Sequence, residues 1–392
     1  MKTSGFIKAI ALSEVTALRL AELRGATSRK DDAAEVDNNC NEDGSMTRKD
    51  PHSEQRNVLL SFLIPQNLPP VRPDSEILKR KKKIHGRYSS LVMPQQGEEK
   101  RRAFVTFLAG DGDYIKGVIG LSKSLRLVDS RYKLIVSVLP DVPRRHTDLL
   151  LSHGCNVRSI QPVLPPPGVC AFAWPRYAIN YSKLRMWEFE DYDQLLYLDA
   201  DMMVFENIDE LFDLSPPGSL TAVKDCFCDW SHTPQFTLGY CQQCPGRVPW
   251  NFALGEPPKP YFNAGMFVFE PSSKTFGRMV QALAENHPTP FAEQDFLNLF
   301  FQDAFRPVPN AYNLEMAMLW RHPENVNLDK TKVIHYCAAG SKPWAYTGEG
   351  ANMDREDVKE LVRKWWGVYN TPLSLVDGCG PKDHPASVKV LG

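Results

Sequence analysis

Gln194-Leu-Leu-Tyr-Leu-Asp-Ala-Asp201 sets the frame for reading the rest of the chain. Its first five residues make an apolar run of strand length, and the run reads as a strand buried on both faces, the kind found inside a parallel sheet. Two carboxylates follow it. Successive side chains of an extended chain point to opposite faces, so Asp199 and Asp201, at i and i+2, project together from the carboxyl end of the strand. In an open α/β sheet, that end is where ligands bind. Carboxylates held so close repel unless a cation lies between them, and a divalent ion with hard oxygen ligands meets that need. A D-x-D also begins ordinary loops, here the one leading to Asn207-Ile-Asp-Glu-Leu-Phe212, and the motif alone leaves both readings open.

Working upstream, strand and helix patterns alternate. Ala103-Phe-Val-Thr-Phe-Leu108 reads as a strand, a Gly-rich turn follows, and a helical pattern covers 114–127. Residues 134–139 predict a second strand, 143–152 a helix and 156–160 a third strand. After a Pro-rich loop at 162–167, a helix is expected over 181–189, just ahead of the buried strand. This alternation predicts an α/β fold: a single Rossmann-like domain with a mainly parallel central sheet and right-handed crossovers. Gly110, Gly112 and Gly117 are spaced G-x-G-x4-G, which is not the G-x-G-x-x-G dinucleotide fingerprint, and the chain holds no G-x4-G-K-[ST] loop. NAD and ATP chemistry are therefore disfavoured.

Composition agrees with a globular protein: of 392 residues 43% are hydrophobic, and 46 Lys and Arg against 47 Asp and Glu leave a formal charge of -1, which gives no overall field for nucleic acid or an anionic membrane. Residues 1–100 are polar and punctuated, and read as a largely disordered leader with a short N-terminal helix. Its basic run Lys79-Arg-Lys-Lys-Lys83 reads chiefly as a solvated charge cluster. Glu14 and Glu22 interrupt the apolar positions near the start, so neither a secretory signal nor a membrane span is expected there. Nine cysteines, an odd number at low density, suit a reducing compartment, and the expectation is cytoplasm. The catalytic domain is expected over 101–370, with a tail over 371–392.

Two further groupings carry chemistry. His335 follows a short strand at 332–334 and opens a loop of small residues with a lysine, Tyr336-Cys-Ala-Ala-Gly-Ser-Lys-Pro-Trp344. An imidazole beside two carboxylates suits Mn²⁺ better than Ca²⁺, and Lys342 with nearby backbone amides, Gly340 among them, can hold phosphate oxygens; a lone histidine can equally be a satisfied structural residue. Cys226, Cys228, Cys241 and Cys244 place four thiols within 19 residues, with Trp230 and His232 between the pairs. Tetrahedral zinc is one use for them and burial as small hydrophobes another, because a C-x-C arm is tighter than the usual C-x2-4-C.

Five ordered motifs, Asn180-Tyr-Ser-Lys-Leu184, Tyr197-Leu-Asp-Ala-Asp201, Phe262-Asn-Ala-Gly-Met266, Glu293-Gln-Asp-Phe-Leu-Asn298 and His335 to Trp344, together resemble glycosyltransferase family 8, the glycogenin-like retaining enzymes. Asp225-Cys-Phe-Cys228, Trp230-Ser-His-Thr-Pro-Gln235, Gly239-Tyr-Cys-Gln-Gln-Cys-Pro245 and Trp320-Arg-His-Pro-Glu-Asn325 resemble a plant branch of that family. The resemblance implies a GT-A type domain, UDP-galactose as donor and myo-inositol as acceptor, a transfer that supplies raffinose-family oligosaccharides. It implies Asp199, Asp201 and His335 as Mn²⁺ ligands, Lys183 as an active-site lysine, Gln294 beneath the anomeric carbon and Asp295 orienting substrate hydroxyls. It further implies Asn263, Ala264 and Gly265 as a sugar-contacting turn, and Leu108 and Tyr114 at the uridine. Self-glucosylation, transfer to a cell-wall glycan and a non-catalytic nucleotide-sugar-binding protein are the competing readings.

Overall fold

The computed structural model describes residues 100–166, 172–173, 176–226, 228 and 238–376. The leader up to residue 99 with its basic run, the tail beyond 376, and Trp230 and His232 lie outside the described residues. In chain order the elements used below are β1 (Arg102–Leu108), α1 (Tyr114–Leu127), β2 (Leu134–Val138), α2 (Arg144–Ser152), β3 (Asn156–Ser159) and α3 (Tyr177–Asn180). Next come β4 (Gln194–Leu198), β5 (Met202–Val204), α4 (Leu211–Leu214), β6 (Leu220–Lys224), β7 (Phe262–Phe269), α5 (Ser273–Glu285) and α6 (Glu293–Phe300). The last are β8 (Phe305–Val308), β9 (Leu314–Glu315), α7 (Met318–Arg321), β10 (Val333–His335) and α8 (Glu356–Asn370).

Seven strands form the central sheet in the order β3-β2-β1-β4-β7-β6-β8. β3, β2, β1 and β4 are parallel, as the βαβ alternation predicts, and β6 and β8 are parallel as well. β7 runs antiparallel between β4 and β6. That reversal matters for the site, because it lays the first residues of β7 beside the last residues of β4: Leu198 pairs with Met266, and the Asp199 amide donates to the Gly265 carbonyl at 2.8 Å. Asn263, Ala264 and Gly265, expected in a turn, are therefore strand residues.

Both faces of the sheet are covered. On one, Ile115, Val118, Ile119 and Leu125 of α1 sit over the sheet with Phe104, Val136 and Leu196. On the other, Trp187 stacks among Phe267, Phe269 and Phe301, its ring centroid 4.1 Å from that of Phe269. Burying each such ring contributes about 2–3 kcal/mol. α1 also crosses close to the acidic turn. A Cβ on Gly117 would lie well inside van der Waals contact with the Ala200 carbonyl and within 2.8 Å of the Trp344 ring, so this glycine serves helix-to-turn packing rather than a phosphate loop.

The segment expected as a helix over 181–189 is instead a 3-10 helix, Tyr181–Glu188, entered from the single turn of α3. The segment is buried almost all round: Tyr181, Ser182, Leu184, Met186 and Trp187 are fully buried. Lys183 is itself buried.

A second sheet of three short strands, β5-β10-β9, carries no legible period in the sequence. β10 pairs antiparallel with β5, setting His335 opposite Met202, and parallel with β9, setting His335 opposite Glu315. His335 closes its strand rather than following it. No helix among the described residues is long and apolar enough to cross a membrane.

Candidate active site

β4 ends at Leu198, and Asp199-Ala200-Asp201 turns the chain directly into β5. Because β10 pairs with β5 and the Tyr336 amide donates to the Asp201 carbonyl at 2.9 Å, His335 is held against the two aspartates. One ligand atom each from Asp199, Asp201 and His335 lies within 4.8 Å of the others. His335 Nε2 stands 3.2 Å from Asp201 Oδ1 and 3.8 Å from Asp199 Oδ2. Asp201 Oδ1 is buried and has no hydrogen-bond partner.

The protonation of His335 follows from its neighbours. The Gly265 amide donates to Asn263 Oδ1 at 2.9 Å, which orients the Asn263 amide; Asn313 Nδ2 donates to the same oxygen at 3.1 Å. Asn313 Oδ1 is left as an acceptor 3.1 Å from His335 Nδ1, so Nδ1 carries the proton and Nε2 presents a lone pair to the aspartates. A bare nitrogen facing a buried, unpartnered carboxylate oxygen is an arrangement that a divalent cation completes, and the mixed nitrogen and oxygen donors fit a first-row metal such as Mn²⁺.

Gly265 makes the ring's position possible. A Cβ there would overlap His335 Cε1 and lie 2.9 Å from Nδ1. Gly265→Ala is therefore expected to push the imidazole off the aspartates and lower the apparent metal affinity of turnover by about 10–100-fold, as loss of orienting contacts does at metal sites. Titrating activity with Mn²⁺ checks this; an unchanged midpoint would refute it.

Two lysines flank the carboxylates. Lys183 Nζ lies 3.0 Å from Asp199 Oδ1 and 2.8 Å from Glu293 Oε1. Burial on its own would lower its pKa, but the two carboxylates outweigh it and raise Lys183 well above the ordinary lysine value, so the cation is kept. Tyr197 also donates its hydroxyl to Asp199 Oδ1. On the other side Lys342 pairs with Asp201 Oδ2 and donates to the Tyr336 carbonyl at 2.6 Å. Burial would raise the Asp201 carboxyl; the Lys342 ammonium beside it outweighs this and holds it far below the usual carboxylate range. Gly340, at φ +80° with Met353 packed on it, allows the loop to fold Lys342 back.

Behind this cluster lies a polar wall. Gln294 Oε1 accepts from the Ala264 amide at 2.9 Å, while its Nε2 donates to Asp225 Oδ2 at 2.9 Å and to the Tyr261 hydroxyl at 3.1 Å. Tyr261 in turn donates to Asp295 Oδ1 at 2.8 Å. Gln294 is thus oriented at both ends, and Asp295 holds Tyr261 and the Phe291 amide. Ala292, just before them, has φ +50°, a strained conformation for a residue with a side chain, held at the start of α6. Burial and the neighbouring Cys226 push Asp225 up to about 6, and burial with Asp225 beside it pushes Glu315 well above the usual range; the two carboxyls share a hydrogen bond and hence a proton.

Tyr114 packs edge-on against Trp344, with centroids 5.2 Å apart, beside the acidic turn. Leu108 is buried beneath α1 and offers a pocket only backbone. Of the four thiols, Cys244 does not join the others: it lies at Nδ1 of His322, whereas Cys228 and Cys241 lie at Nε2. Glu293, Asn313, Glu315 and His322 had no assigned part in the sequence reading. Glu293 has a signal, since it is the acid at the first position of a helix and adjoins Gln294, and His322 lies in the motif Trp320 to Asn325; Asn313 and Glu315 sit in a segment with no period.

Two aspartates and a histidine that could hold a cation at the carboxyl edge of an α/β sheet, flanked by buried lysines, suit the departure of a phosphate-bearing group. The model of glycosyl transferase family 8 matches residues 105–348, and the chain belongs to that family of glycosyltransferases. It is 62% identical over 273 residues to galactinol synthase 4 of Arabidopsis thaliana, covering 69% of this chain and 81% of that protein. It is 60% identical over 272 residues to galactinol synthase 1 of Ajuga reptans, with the same coverage of each chain. The solved galactosyltransferase LgtC, in complex with donor and acceptor sugar analogs, is 20% identical, with a TM-score of 0.47 over 70% of this chain and 99% of that one.

Proposed function

We propose that the chain transfers galactose from UDP-galactose to myo-inositol with retention at the anomeric carbon, releasing galactinol and UDP. The identity of 60–62% to proteins named galactinol synthase, over 81% of their length, carries this reading. The same identity favours this reading over the glycogenin-like and cell-wall alternatives, and an assembled cluster of Asp199, Asp201, His335, Lys183 and Lys342 speaks against a non-catalytic protein.

Asp199, Asp201 and His335 would hold Mn²⁺, which when bound supplies Lewis-acid neutralisation of the diphosphate. Lys342, with the backbone around Gly340, binds phosphate oxygens, and Lys183 adds positive charge on the sugar side, so that negative charge developing on UDP is stabilised in place. Tyr114 and the end of β1 at Leu108 bound the uridine, and Asn263, Ala264 and Gly265 bound the sugar. Gln294 faces the anomeric carbon. Its amide is tied at both ends and is a weak nucleophile, which supports front-face substitution: the C1–O bond to UDP breaks, the inositol oxygen bonds C1 from the same side, and the hydroxyl proton passes to the departing phosphate oxygen. Asp295 positions hydroxyls through Tyr261.

None of the described cysteines is in a disulfide, which agrees with the cytoplasm as the place of reaction. The test is incubation of purified protein with UDP-galactose, Mn²⁺ and myo-inositol. Stoichiometric UDP and galactinol are expected; UDP release only with a glucan, or galactose attached to the protein itself, would overturn the assignment.

A further inference from the structure

We propose that Cys226, Cys228, Cys241 and Nε2 of His322 form a structural zinc site, distinct from the Asp199-Asp201-His335 centre. Two thiols lie at one imidazole nitrogen, and a third stands beside them. Cys228 Sγ lies 3.1 Å and Cys241 Sγ 3.5 Å from His322 Nε2, and Cys226 and Cys228 join His322 in a set whose ligand atoms lie within 4.8 Å of one another. Bonds of about 2.3 Å to sulfur and about 2.0 Å to nitrogen give a tetrahedron whose sulfur-to-nitrogen edge is about 3.6 Å. Cys226, Cys241 and His322 are buried, which matches a closed site without an exchangeable position.

The surroundings orient His322 for this role. Cys244 Sγ, 3.1 Å from His322 Nδ1, donates its own proton to Glu324 Oε1 at 3.0 Å, so it accepts from Nδ1–H and leaves Nε2 bare toward the three thiols. Cys244 is thus a positioning residue and not a ligand. Three thiolates and Zn²⁺ carry one net negative charge, and the Arg321 guanidinium stands 3.8 Å from Cys226 Sγ to offset it. The site fastens the segment after β6 to the end of α7. Asp225 belongs to that segment: its Oδ1 accepts the Cys226 amide at 2.6 Å while its Oδ2 holds Gln294. The clamp therefore braces the wall of the sugar site from behind.

The test is metal content of the purified full chain after exhaustive exchange against EDTA. One zinc per chain is expected, falling at least tenfold in Cys228→Ser and in His322→Ala, and unchanged in Cys244→Ser and Asp201→Asn. Retention in Asp201→Asn separates this site from the transferase centre, so failure here leaves the proposed reaction standing and the reverse. Because a ligand variant can misfold, the wild-type protein is also produced with cobalt. A thiolate-to-cobalt charge-transfer band with the absorption of a tetrahedral centre is expected. A zinc-free wild-type chain, a cobalt form without that band, or zinc lost in Cys244→Ser and kept in His322→Ala would each overturn the proposal. So would a disulfide between two of the three thiols, located by mass mapping of peptides from the unreduced protein.

Discussion

Asp201→Asn is expected to lower kcat about 10³-fold or more while leaving the protein folded, on the scale set by removing one preorganised electrostatic contact and a metal donor together. The reasoning is local. Asp201 offers Oδ1 to the cation position facing His335 Nε2 and Oδ2 to Lys342, and it is almost wholly buried. An amide of the same shape turns one of these acceptors into a donor. If the NH2 faces Lys342 it meets a cation, and if it faces His335 it points a donor at the place where a metal ion would lie. Neither arrangement restores the lost charge, and Lys342, whose pKa Asp201 raises against the opposing effect of burial, loses the partner that keeps it ionised. Turnover under saturating Mn²⁺ is the measurement. A variant within tenfold of wild type would reject the role given to this carboxylate.

The half of the fold preceding Asp201 could be read from sequence because its elements are long enough to show a period. The stripe Ile115, Val118, Ile119 and Leu125 and the buried run 194–198 each announce their element. What was hidden are pairings of two or three residues joined across long separations. β5, β9 and β10 are too short to alternate, yet their pairing places His335 and Glu315. The antiparallel course of β7 was equally silent, because a fully buried strand reads the same in either direction. In the site, the candidate ligands and lysines stand out as residue types at strand and loop ends, whereas Asn313 and Glu293 orient or charge others and need coordinates to be seen. Cys244 and His322 exchanged roles for the same reason. Sequence spacing favours the near cysteine, but His322, far away in the chain, closes the set.

Lys183→Met should destabilise the protein by about 3 kcal/mol or more, besides abolishing measurable transfer, because removing one partner of a buried ion pair leaves an uncompensated charge. The Lys183 side chain is only 4% exposed and Glu293 only 5%, with Asp199 on the other side, so two carboxylates would lose their shared cation. Methionine keeps most of the stem volume, which removes a cavity as the explanation. The deficit should depend on pH in a definite sense. Burial already pushes the Glu293 carboxyl up, and without Lys183 opposing it the folded variant favours neutral Glu293 still more. A group whose folded pKa lies above its unfolded one supports the fold below the unfolded value and loses that support as pH rises through the folded value. The stability gap to wild type should accordingly be smallest below the ordinary glutamate range and widen above it. Adding Glu293→Gln to Lys183→Met removes the more deeply buried of the two orphaned charges and should return most of the stability, yet none of the activity. Denaturant unfolding of the three proteins across pH decides the matter: a single-variant cost under about 1 kcal/mol, or a double variant no more stable than the single, would mean that Lys183 is not held as a buried cation.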